Sequence, residues 1–341
     1  MTMTTSNNES GSTPADTDYE ADFGGKYSTL LFVKGGPGCE KQHFGQKGFC
    51  RYCGETDPKQ FRKIAHLIPE ALGNEWLFSN DECDVCNGLF SDYESNLAAA
   101  LRPILTIGGT EGKANKVPQT GRTGGQSVIK HTKENGKRSI SIMTSAAGAG
   151  VSIDPSSGII TLDIPVAAIP FRPRFAYKAL AKMAYALLPK EELAHFAKLR
   201  AWIRAKPDAA EFDCLETGLA FGSLGNAPNL LCAALLRRVE QSDNTPYMLF
   251  VLCAGSVCLM IDLMSDDRDD HFDRTKMGCV DIKWAIELGP KREVRIQYDK
   301  FRPMNWSATE NAPQPVETFS LEFNPRTCVG RVTPVLRENW R

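Results

Sequence analysis

The chain has 341 residues, 42% of them apolar, so it can bury a sizeable core and is long enough for two domains or one domain with a large elaboration. Its eleven cysteines argue against an oxidising compartment, because an odd number leaves one unpaired and no secretory signal precedes them; the expected location is cytoplasmic. The net charge of −1 conceals a segregation of acids and bases along the chain.

Residues 1–25 carry five acids (Glu9, Asp16, Asp18, Glu20, Asp22) and no Lys or Arg. Rich in Ser, Thr, Asn and Asp, the stretch lacks the apolar surface to order itself and reads as a disordered tail. With neither an apolar core nor a basic lead, it is not a signal peptide. Residues 26–63 reverse the sign, with eight bases against three acids, a net of +5. Within them YSTLLFVK predicts a short strand and KGGPG a turn. Cys39 and His43 come next and read as bystanders, because four other cysteines already complete a tetrahedron. Those four are Cys50 with Cys53 and Cys83 with Cys86, two Cys-x-x-Cys pairs. Each pair can lie on a tight turn whose sulfurs converge on one ion, and four thiolates so arranged suit a structural Zn2+. Between the pairs, KIAHLIP alternates too loosely for an amphipathic helix and predicts a strand leading into a loop, with Pro69 stopping it. A helix is predicted from Asn87 to about Arg102, before Pro103, with Leu89, Phe90, Tyr93 and Leu97 on one stripe.

The stretch AHLIPEALGN, followed by CDVCN, resembles the zinc-braced HNH endonucleases over roughly residues 47–100. In that family two strands and a helix clamp a catalytic divalent cation, the ββα-metal fold, and two cysteine pairs clamp a separate structural zinc. The resemblance implies His66 as the general base that takes a proton from the attacking water, a task suited to an imidazole because its ordinary pKa lies near working pH. It implies Asn87 as a ligand of the catalytic ion and Asn74 as the asparagine that braces the loop holding the histidine. Ala65 departs from the family pattern, which places Asp, His or Glu before the histidine as a cation ligand. A hard cation such as Mg2+ or Mn2+ needs anionic oxygens, so another carboxylate substitutes or activity is lost. Glu94, seven residues after Asn87, projects from the same helix face and is one candidate; Glu70 is a second. The competing reading of Glu94 is a solvated helix carboxylate.

Residues 102–140 are Gly-rich and hold eight bases against two acids, a net of +6, which reads either as a flexible linker or as a loop lying along a nucleic-acid backbone. Two hairpins are predicted next, turning at Asn135-Gly136 and at Pro155 to Gly158. The run FRPRFAYKALAKMAYALLPKEELAHFAKLRAWIRAK predicts two helices punctuated by Pro189, with a core-facing aromatic and Leu stripe and an ordinary His195. Beyond Pro207 the chain reads as strands, with a short helical run near Leu230 to Arg238. Residues 247–264 are nearly all apolar, but Asp262 and the Ala254-Gly255-Ser256 break favour a buried hairpin over a membrane span, with Cys253 and Cys258 as small core residues. The acids at 266–270 read as a solvated loop, and REVRIQYDKF and ETFSLEF as further strands.

The expected architecture is α+β. A disordered tail (1–25) precedes an HNH module with its zinc (26–103), and residues 104–341 form a mixed, mainly antiparallel β domain with a central helical pair. The function that the resemblance implies is metal-dependent hydrolysis of DNA phosphodiester bonds, with no membrane partner. By analogy with HNH modules fused to larger domains in bacterial anti-phage and mobile-element proteins, the C-terminal part would sense a ligand, bind a partner or grip DNA. The alternative is an inactive zinc-stabilised DNA-binding or interaction module, with Ala65 marking a dead site.

Overall fold

The structure is a computed structural model that describes residues 17–22, 25–121, 126–134, 137–205, 215–222, 229–239, 245–263, 265–270, 283–288, 294–327 and 329–338. The first strands are β1 (Thr17–Asp22), β2 (Tyr27–Gly35), β3 (Gln42–Phe44), β4 (Ala65–His66) and β5 (Leu77–Ser79), and helix α1 (Asp84–Gly108) follows. Four more strands, β6 (Val128–Glu134), β7 (Lys137–Met143), β8 (Gly150–Ile153) and β9 (Ile160–Pro165), lead through β10 (Pro170–Phe171) to α2 (Pro173–Leu187) and α3 (Ala197–Arg204). The C-terminal part is β-rich: β11 (Glu216–Phe221), β12 (Leu231–Arg238), β13 (Met248–Ala254), β14 (Val257–Leu263), β15 (Lys283–Leu288), β16 (Val294–Gln297) and β17 (Arg302–Asn305), then β18 (Ala312–Pro313), β19 (Val316–Asn324) and β20 (Val329–Leu336). The fold is α+β with mainly antiparallel sheets; among the described residues only β3 and β5 pair in parallel.

The largest sheet has the order β17-β11-β14-β13-β12-β2. Of its central strands β13 is buried along its whole length, and β12 and β14 are buried except at Arg237 and Arg238 and at Asp262, which explains their long apolar runs. One face packs into the main core with α1, α2 and α3, and the other covers a second core that includes Trp284, Ile296, Tyr298 and Phe301. The hairpin expected at 247–264 is β13 and β14, turning at Gly255-Ser256. Among the described residues no helix is long and apolar enough to cross a membrane.

Several expectations change. The helical run near Leu230 to Arg238 is strand β12, because a continuous apolar run of this length fits a strand buried on both faces as well as it fits a helix. Helix α1 does not stop at Arg102 but carries Pro103 inside it and ends at Gly108, capped by Gly109 with a φ of 75°. Burial of Pro103, Ile104, Leu105 and Ile107 holds that last stretch helical despite the backbone hydrogen bond that proline lacks. Leu89 lies outside the buried stripe, which runs through Phe90, Tyr93, Leu97, Ala100, Leu101 and Ile104. Residues 17–22, within the stretch read as a tail, form β1 against β15. The basic stretch after α1 becomes a tight turn at Lys113–Asn115 and the β6–β7 hairpin, whose turn residues 135 and 136 lie outside the described residues. Asp154 closes the β8–β9 hairpin by accepting from Ser156 and Ser157.

The segment ahead of the cysteines also packs on the C-terminal part of the chain. β2 lies along β12 as the edge strand of the six-stranded sheet, and the main core runs without interruption from Val33 through the cysteines and α1 to Leu336.

Candidate metal centre and the histidine beside it

The sulfur cluster forms where two chain reversals meet. Residues 50–54 turn so that the Gly54 N–H donates to the Cys50 carbonyl, and Cys83 caps α1, its sulfur accepting from the Cys86 N–H at 3.5 Å. Cys50 Sγ accepts from the Cys83 N–H at 3.5 Å, and the sulfurs of Cys53 and Cys83 are 3.6 Å apart. Each of the four cysteines offers one sulfur, and the four lie within 4.8 Å of one another. Crowding polarises them. A hydrogen bond from Cys86 drives the Cys50 thiol down to about 4, the same bond pushes Cys86 up, and burial lifts Cys83 to about 11. A tetrahedral dication is the group that lets all four sulfurs be thiolates, and the all-sulfur donor set with its N–H···S bonds fits a structural metal ion, Zn2+ by ligand type.

His66 ends β4, the outer strand of a small sheet ordered β3-β5-β4. Its side chain is 24% exposed, Nε2 lies 3.6 Å from Glu70 Oε1, and the ring tilts against Phe78 at 5.0 Å. Burial lowers the imidazole pKa below its ordinary 6.5, with Glu70 and Glu94 opposing and Lys182 and Lys41 assisting. The loop after His66 is held by Asn74, wholly buried: its amide donates to the carbonyls of Ile68 and Leu77, and its oxygen accepts from the Trp76 and Leu77 N–H groups. All four of its hydrogen-bonding positions are thereby used, so Asn74 braces the loop and has none left for a ligand.

Asn87 lies on the first turn of α1, half-buried, and among the described residues its side chain forms no hydrogen bond, to His66 or to any other group. Glu94 does not stand free. Its Oε1 is 3.0 Å from Lys182 Nζ, and that ammonium also lies 3.0 Å from Glu82 Oε2 and donates to the His66 carbonyl at 3.0 Å. Of the two carboxylates considered from sequence, Glu70 therefore faces the imidazole, and Glu94 belongs to an ion pair beneath it. Ala65 is buried and offers no ligand atom.

Lys182, on α2, is the residue here that sequence reasoning missed. Its side chain and that of Glu82 are wholly buried. Burial pulls the ammonium pKa down, but the charges of Glu82 and Glu94 outweigh it, so Lys182 stays cationic; burial also pushes Glu82 up to about 7 despite its partner. The signal was present: Lys178 and Lys182, four apart, sit on a helix buried on nearly every side, where an ammonium requires partners. The first cysteine turn reaches the same helix. Tyr52 donates to the Lys182 carbonyl, and Arg51, paired with Asp81 at 2.7 Å, donates to the carbonyls of Tyr185 and Leu188 at the C-terminus of α2.

The remaining sequence candidates lie elsewhere. The acids at 266–270 cap and pair rather than converge: Asp266 accepts from the Lys198 N–H, Asp267 contacts His195 at 2.9 Å, and Asp269 is buried against Arg238. Cys39 and His43 are outside the sulfur cluster, though His43 lies on the His66 sheet. No curated protein and no solved structure matches the chain. A family model described as HNH endonuclease matches residues 50–98, so the stretch that holds both cysteine pairs, His66 and the first half of α1 is the part of this chain similar to that family.

Proposed function

We propose that the protein is a metal-dependent endonuclease that hydrolyses DNA phosphodiester bonds, with His66 as its general base. The observation that carries this reading is the imidazole on a short strand between two cysteine pairs, beside Glu70 and inside the stretch similar to HNH endonucleases. His66 accepts the proton of the attacking water. Its lowered pKa keeps it in the free-base form at neutral pH, and Glu70 beside Nε2 favours the imidazolium once the proton arrives.

The donors for a hard cation would be the Glu70 carboxylate beside His66 and, as the family resemblance implies, the Asn87 amide oxygen. That set is sparse, and it suits Mg2+ or Mn2+, which retain waters and take substrate phosphate oxygens alongside one or two carboxylates. Such a cation supplies charge neutralisation at the scissile phosphate. The four cysteines hold Zn2+ as a structural ion, Asn74 fixes the loop, and Lys182 with Glu94 and Glu82 anchors the His66 strand from below.

The test is plasmid cleavage with Mg2+ and Mn2+, comparing the wild type with His66→Ala. Cutting by the wild type and not by a variant that retains zinc supports the reading; cutting by both removes His66 from the chemistry. Ala65 favours a second reading, a DNA-binding module without activity. Salt-sensitive DNA binding with no cleavage under any divalent cation selects it.

A further inference from the structure

Strand β3 lies ahead of the residues similar to the nuclease family, yet it and the residue just before it bring two basic side chains to the His66 face. It pairs with β5 so that His43 is opposite Phe78, and β4 pairs with β5 from the other side so that His66 is opposite the same phenylalanine. Directly opposed residues share a sheet face, so His43, Phe78 and His66 form one row. The rings agree with this, for His43 stacks on Phe78 at 5.1 Å and His66 tilts against it at 5.0 Å.

Lys41, just ahead of β3 and two residues before His43, reaches the same face, with Nζ 5.5 Å from the centre of the Phe78 ring. The alternate residues turn away: the Gln42 amide donates to the Lys34 carbonyl, and Phe44 packs against the main core. Lys41 and His43 are exposed, while Phe78 beneath them is 7% exposed. Among the described residues neither side chain is in an ion pair or a hydrogen bond. The charge of Lys41 nevertheless reaches the His66 imidazole, where it opposes protonation. The row is thus an apolar floor carrying a cation and an imidazole with free polar atoms, open to solvent beside the proposed general base.

We propose that Lys41 and His43 form a phosphate subsite that holds the nucleic-acid backbone beside the scissile bond. The assignment rests on the nuclease reading of His66. Two strand spacings separate His43 from His66, roughly 10 Å, too far for both to engage one phosphate, so the row takes a phosphate flanking the one that is cut. A single cation held over an apolar floor attracts an anion without reading bases, which makes the contact independent of sequence.

The experiment uses the full chain carrying His66→Ala, which leaves the substrate intact, and a labelled DNA duplex titrated by anisotropy over a range of salt concentrations. Adding Lys41→Ala lowers the slope of log affinity against log salt by about 0.9, the loss of one phosphate contact, whereas Lys41→Arg preserves the slope. In the cleaving protein, assayed at a pH where His66 is fully deprotonated, Lys41→Ala and His43→Ala raise KM and leave kcat unchanged, because ground-state and transition-state binding are lost together. An unchanged slope and an unchanged KM overturn the subsite even if the wild type cuts DNA. A wild type that binds in a salt-dependent way but never cuts sinks the nuclease reading and leaves the slope to decide the subsite. A wild type that does not bind the duplex at low salt removes both.

Discussion

The substitution that most directly probes the packing beneath His66 is Lys182→Met. Methionine keeps the length of the side chain, so little volume is lost and the effect is electrostatic. The ammonium neutralises two carboxylates, one of them wholly enclosed, and donates to the His66 carbonyl. Removing one member of a buried ion pair leaves an uncompensated charge and costs about 3–5 kcal/mol. Glu82 has no second partner to fall back on, since Lys182 is the only cation at its carboxylate among the described residues. Lys182→Met with Glu82→Gln removes one charge of each sign and leaves only Glu94, which reaches solvent, so the double variant recovers most of the loss. pH gives an independent check. Glu82 has a folded-state pKa near 7 against an ordinary 4.5, so the folded protein holds a proton that the unfolded chain releases, and stability falls as pH rises through that window. Without Lys182 the carboxyl titrates higher still, so the penalty of the single variant is smaller at pH 5 than at pH 8. Guanidinium unfolding of zinc-loaded protein at those two values measures both effects. A single variant that loses less than about 1 kcal/mol, or a double variant no more stable than the single, refutes the argument.

Three further outcomes test the site. The acid limb of kcat/KM falls below 6.5, because burial lowers the His66 pKa, and a limb at or above 6.5 in a pH–rate profile contradicts that environment. Cys83→Ser releases the structural metal and, because metal binding and folding are one free energy, melts the surrounding module; metal analysis with circular dichroism reads both, and a folded, metal-free variant refutes it. Glu70→Gln shifts the divalent-cation dependence of cleavage while Glu94→Gln leaves it in place, as expected if Glu70 faces the imidazole and Glu94 faces Lys182; a shift in the Glu94 variant alone reverses the assignment.

The convergence of the cysteine pairs, and the places of His66 at a strand end and of Asn74 in the loop after it, were legible because each depends on local spacing or on a turn that a few residues specify. Asn74 even has the partners its position suggests, since a buried asparagine in a loop must use all its hydrogen bonds on the backbone around it. The ion pair at Glu94 was not legible. Helical spacing relates Glu94 to Asn87, but spacing within one helix carries no information about which residue arrives from another. Lys182 is 88 residues away in sequence, and only packing of α2 on α1 brings it there. Pro103 and the run at 230–238 failed similarly: burial on all sides overrode local signals that would have decided an exposed segment.

The same packing bears on whether the nuclease-like stretch is a separable unit, and a fragment of residues 26–109 tests it. Cutting the chain there removes α2, so Arg51 loses two carbonyl partners, Tyr52 one, and Glu82 and Glu94 their cation. It uncovers Tyr52, which packs on Tyr185, and Tyr93, which packs edge-on against Phe175, at roughly 1.5–3 kcal/mol for each buried side chain that returns to water. It also strips β2 from β12, leaving an unpaired apolar strand. A structural zinc contributes about 10–16 kcal/mol to folding the turns that bind it, but it cannot cover the long apolar stripe of α1. The fragment is therefore expected to bind zinc, expose apolar surface to a hydrophobic dye and melt without cooperativity. A monomeric fragment that melts sharply and cuts DNA as fast as the full chain would show instead that the C-terminal region only leans on a nuclease that stands by itself.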